Sequence, residues 1–264
     1  RDRYLPLVRQ LAKQGHHVLW ANSRYRGADY ALMMEKVACD LGEAICDAKE
    51  RLGYSNIVLA GWSGGGSLMM WYQALAEAGA GISNTAAGDP YTVAASRLPA
   101  ANSIMMLAAH VSRHRIFTEW LDPSITDESQ PHLRDAQLNL YDAANPNQPP
   151  YSADFLEHFA QAQVARNRRI TAWVKEKLAA IRASDSPWRE FAFTVHGTMA
   201  DPRWLDPSIE PSDREAGSCY LGDPQIVNDG PVGLARFCTL RSWLSQWSYD
   251  CLLYTSPSPR DLWI

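Results

Sequence analysis

No run of eighteen apolar residues occurs in this 264-residue chain, so a membrane-spanning helix is not what organises it. A positive excess is missing too. The 25 Lys and Arg residues stand against 29 Asp and Glu, a net charge of −4 with a pI near 6.0, and nucleic acid is therefore not an expected partner. Cysteine is sparse. Cys39, Cys46, Cys219, Cys238 and Cys251 are widely spaced, with no Cys-x-x-Cys pair and no histidine at zinc-ligand spacing. This predicts reduced structural thiols in a cytoplasmic protein, with no metal and no cofactor. An initiating methionine is absent, since the chain opens on Arg1, which leaves a secretory leader open. No repeat occurs at solenoid periods. At 46% hydrophobic and 20% charged residues, the composition is that of a globular protein rather than a disordered one.

The most informative stretch runs from Ile57 to Met70. A short apolar, β-branched run ends at Gly61, Ser63 stands among small residues, and an apolar helix-like stretch follows at once. That order reads as strand, sharp turn, helix. Gly61-Trp62-Ser63-Gly64-Gly65 satisfies G-x-S-x-G. A serine aimed out of the top of a sheet needs a strained turn, and glycines two residues to either side allow strand and helix to pass without Cβ clashes. Gly64 is then expected to open the helix. Two other glycine-loop readings fail. No Gly-Lys-Ser/Thr follows, which excludes a phosphate-cradling P-loop, and Ser63 occupies the place of the second glycine of G-x-G-x-x-G.

From the N-terminus, Tyr4, Leu5, Val8 and Leu11 share a helical face, with Gly15 after the last turn. His17 to Ala21 reads as a buried strand. Leu32, Val37, Leu41, Ile45 and Ala48 mark a helix from about Asp29 to Leu52, ended by Gly53. After the elbow, a helix from Ser67 to about Ala78 leads through a loop to a buried strand, Ser103 to Ala109. Asn145 to Pro150 reads as a rigid connector. Ser152 caps a long helix to about Ile181, on which Arg166, Arg168 and Arg169 are expected to form a solvated face. Glu190 to His196 alternates like a strand, Thr198 to Pro231 reads as a long loop, and a last helix begins near Pro231.

The Gly61–Gly65 elbow and this order of elements resemble the α/β-hydrolase superfamily, over residues 1 to about 116. The resemblance implies an α/β fold: a partial hydrolase sheet carrying the family's strands four to six, with residues 117–250 a mostly helical cap inserted after strand six. It also implies that the strands and loop expected before Arg1, including a second oxyanion donor, are missing. Cys251 to Asp261 reads without a mismatch as the translation of a transposase-type sequencing adaptor, so residues 251–264 are excluded from the fold. The chain is accordingly expected to be truncated at both ends and inactive by itself.

Within the family the resemblance assigns Ser63 as nucleophile and the Gly64 N–H as oxyanion donor, with the acid and histidine expected beyond Asp250. Trp62 and His110 are candidates for lining the site, a loop or packing role being the alternative for His110. Asp122 is a weak candidate for the acid, and His196 could pass for a base, although no helix follows it. The implied activity is hydrolysis of an ester or related acyl bond in an apolar small molecule through an acyl-enzyme. The alternatives are carbon–carbon hydrolysis, acyl transfer, or a binding protein that keeps the fold without the chemistry. The tryptophans at 120, 173, 188, 204, 243 and 247 suit an apolar pocket, or simply a core.

Overall fold

The computed structural model describes residues 6–27, 29–185, 187–211, 213–230 and 237–250. The adaptor-like tail, Tyr4, Leu5 and the expected start of the last helix lie outside these residues. The architecture is mixed α/β, with helices around small sheets. In order come α1 (Pro6–Lys13), α2 (Met34–Glu50), β1 (Val58–Trp62), α3 (Gly64–Glu77), β2 (Ile82–Asn84), β3 (Pro90–Val93) and β4 (Ser103–Leu107). They are followed by α4 (Arg113–Trp120), α5 (Ala153–Ala183), β5 (Ala192–Thr194), α6 (Pro224–Asp229), β6 (Phe237–Thr239) and α7 (Leu240–Gln246).

β1 and β4 pair in parallel, from Val58 opposite Ser103 to Trp62 opposite Leu107. Parallel strands need a crossover, and α3 with the β2–β3 hairpin supplies it. The hairpin occupies what the sequence reads as loop. Leu59 faces a core made with Met34, Ala38 and Ile45 of α2, Trp71 and Tyr72 of α3, and Leu98. The α2 stripe is thus buried as its periodicity predicts, and Gly53 at φ +73° ends it.

The stretch His17 to Ala21 is not a strand. Its backbone joins no ladder, and Val18, Leu19 and Trp20 are exposed. An apolar run becomes a strand only when a neighbour takes up its N–H and C=O groups, and among the described residues β1 has one strand neighbour, β4. Two of the three expected sheet strands therefore form.

α5 keeps its predicted start: the Ser152 hydroxyl accepts the Phe155 N–H at 3.2 Å. Ile170, Val174 and Leu178 then meet Phe117, Leu121, Leu240, Trp243 and Leu244 in a second core. The expected arginine face is corrected at one position. Arg166 is fully buried and donates to the carbonyls of Asp122, His196 and Gly197 at 2.6–2.9 Å, and to Glu128 at 2.7 Å. Arg168 and Arg169 remain exposed and pair with Asp250 and Glu128. Periodicity places an arginine on a face; it does not reveal three loop carbonyls converging there. The final helix begins at Leu240, later than expected, because Phe237–Thr239 pair with β5 first.

α7 closes the molecule onto α2. Ser245 Oγ accepts the Met34 N–H at 2.7 Å and donates to buried Glu35 at 2.6 Å, and Glu35 also accepts the Ala86 N–H. No described helix is long and apolar enough to cross a membrane. Cys39, Cys46 and Cys219 are free thiols.

Candidate active site

Ser63 links the end of β1 to the start of α3 with φ 53° and ψ −124°, a region that side-chain-bearing residues rarely adopt. Neighbouring glycines make the turn possible. A Cβ on Gly61 would stand 2.8 Å from Gly65 O and Gly66 Cα, and one on Gly66 would overlap the Ala109 methyl. Gly65, expected to be the second close-approach glycine, would meet nothing within 4 Å. The tight passage belongs to Gly61 and Gly66 because α3 starts at Gly64, three residues earlier than apolar periodicity alone places it. Gly64 is thus the first helical residue, where an α-helix leaves its N–H groups without intrahelical acceptors.

A second tight turn faces the first. Ala108, just past β4, has φ 43°, so the chain doubles back toward the elbow. The Ser63 N–H donates to Leu107 O at 3.0 Å, and the Ser63 carbonyl accepts the N–H groups of Gly66 and His110, each at 3.0 Å. This clamp places His110 Nε2 3.2 Å from Ser63 Oγ. The histidine named from sequence as lining, with a loop or packing role as its alternative, is the hydrogen-bond partner of the serine hydroxyl. The available signal was its place three residues past β4, the strand paired with the elbow strand. Partial burial, with a smaller contribution from the Arg113 charge, lowers the His110 pKa and favours the neutral ring, the form able to accept a proton.

The imidazole also meets Trp120, edge to face at 6.1 Å. Asp122 is not brought to it. Its buried carboxylate pairs with Arg134 and accepts from Asn228 at 2.7 Å and from the Ser124 N–H and hydroxyl at 3.0 and 2.5 Å. An acid so fully engaged holds its own loop. The carbonyl of His196 accepts from Arg166. Trp62 precedes the serine and is 60% exposed. Arg113 spans the elbow and the last helix, donating to Gly64 O at 3.3 Å and to Gln246 at 3.0 Å.

A nucleophile-type hydroxyl on a strained turn, a neutral imidazole on that hydroxyl and a helix N-terminus beside it form a set able to move a proton off oxygen while stabilising negative charge nearby. No protein-family model, curated protein or solved structure matches the chain.

Proposed function

We propose that the protein is a serine hydrolase that cleaves an ester or related acyl bond through an acyl-enzyme. One observation carries this reading: Ser63, held at φ 53° between a parallel strand and a helix, has its Oγ 3.2 Å from the Nε2 of His110. The β1–elbow–α3 arrangement beside a parallel β4 also supports the partial hydrolase sheet that the sequence resemblance implies.

Ser63 Oγ attacks the acyl carbonyl carbon while its proton passes to Nε2, and the carbonyl electron pair moves to oxygen beside the Gly64 N–H. When the tetrahedral intermediate collapses, the bond to the leaving alcohol breaks and the imidazolium returns the proton to the departing oxygen. Water then repeats the sequence on the acyl-serine. Trp120 limits rotation of the imidazole by packing against it. The test is turnover of short acyl esters. Ser63→Ala should lower kcat by at least about three orders of magnitude with the fold intact. Unchanged turnover in that variant would remove the assignment.

A further inference from the structure

Building on the serine-hydrolase reading of Ser63, we infer that the site takes esters whose alcohol half is aromatic and flat, and that Trp120 and Tyr220 form the wall receiving that half. The direction follows from proton flow. The imidazolium returns its proton to the leaving oxygen, so the leaving group stands against His110 at the moment of cleavage. Beyond His110 in this structure comes the Trp120 ring at 6.1 Å, and beyond it Tyr220 at 5.8 Å, tilted by 32° against the indole. Trp204, almost fully buried, backs Trp120 at 5.5 Å.

Two features separate this cluster from ordinary core. It ends in solvent, since Tyr220 is 60% exposed and its neighbour Leu221 43% exposed, while the turn presenting them is fixed. In that turn the Cys219 N–H donates to Gly222 O at 2.8 Å and the Gly222 N–H to Cys219 O at 3.0 Å, with Gly222 at φ +107°. A large exposed aromatic on a hydrogen-bonded turn, tilted against a tryptophan that meets the candidate base edge to face, is suited to stacking a planar group. Both wall rings are uncharged, and the charges beside them are paired: Arg203 stands 2.6 Å from Asp201 and 2.9 Å from Glu119, and Arg115 stands 2.9 Å from Glu119.

The experiment compares naphthyl acetate with trifluoroethyl acetate on the full chain, each kcat/KM divided by the ester's own hydroxide-catalysed rate, alongside labelling of Ser63 by an alkyl fluorophosphonate. Tyr220→Ala should reduce the normalised preference for the naphthyl ester about tenfold, equivalent to ~1.4 kcal/mol. Trp120→Leu should act in the same direction. Tyr220→Phe should keep the preference, because the ring and not the hydroxyl stacks. Leu52→Ala, in the turn after α2 and exposed, should leave it unchanged. A preference that survives Tyr220→Ala while Ser63 still labels overturns the aromatic wall and spares the nucleophile. Failure of Ser63 to label, with neither ester turned over, overturns the hydrolase reading and the wall with it.

Discussion

Ser63 and His110 are held together by their backbones before their side chains meet: the carbonyl of the serine accepts the amide of the histidine at 3.0 Å, and the Oγ–Nε2 contact of 3.2 Å follows. The two turns that do this, at Ser63 and Ala108, both use positive φ without glycine. Such positions cost ~1–3 kcal/mol each and persist where the surroundings over-determine them.

That strain is measurable at the serine. Ser63→Gly and Ser63→Ala both remove the hydroxyl, but only glycine relieves the φ of 53°. Ser63→Gly should therefore be the more stable variant, by about 1 kcal/mol in urea unfolding.

Adjacent glycines should respond oppositely. Gly66→Ala pushes a methyl into Ala109 and should cost ~1–3 kcal/mol, whereas Gly65→Ala enters open space on a helix and should be neutral or stabilising by up to about 1 kcal/mol. Thermal unfolding of the two variants checks the strand–helix approach directly.

Arg166→Leu should be among the most damaging changes away from the elbow. It strips donors from three carbonyls and leaves Glu128 with only the exposed Arg169, a loss of ~3–5 kcal/mol. Arg168→Leu, which breaks an exposed pair with Asp250, should shift the unfolding midpoint far less than Arg166→Leu.

Acid should destabilise the fold before carboxylates titrate. Burial is the main cause lowering the pKa of both His110 and His114, and buried His114 leaves its Nδ1 without a hydrogen bond while its ring packs on Tyr249. A histidine with a depressed native pKa binds fewer protons folded than unfolded. Its stabilising contribution is complete above the unfolded value of about 6.5 and is lost as pH falls below it. The melting temperature should fall from pH 7.5 to 5.5 (roughly the window around that value), and His114→Phe should flatten the decline.

The elbow was legible in the sequence because its glycines and apolar flanks are local signals: β1, the turn at Ser63 and the Gly64 helix start all follow from neighbouring residues. The α2 stripe and the Ser152 cap were legible for the same reason. His17 to Ala21 misled because a strand requires a partner, and partners are not written in a strand's own periodicity. The contacts of Arg166 and His110 were not legible in the sequence. Each makes its contacts with atoms distant in sequence, the loop carbonyls around Asp122 and Gly197 for one and the Ser63 hydroxyl for the other.

The central claim is that Ser63 is activated by His110, which replaces the expectation of an inactive chain whose histidine lies beyond Asp250; the rate of Ser63 phosphonylation in the 264-residue chain tests it most directly. The account predicts stoichiometric labelling at Ser63, abolished in Ser63→Ala and slowed at least about a hundredfold in His110→Ala, with the wild-type rate rising through a pKa below the ordinary imidazole value. The contrary result is labelling of Ser63 at the same rate and with the same pH profile after His110→Ala, or no labelling of a chain that unfolds cooperatively.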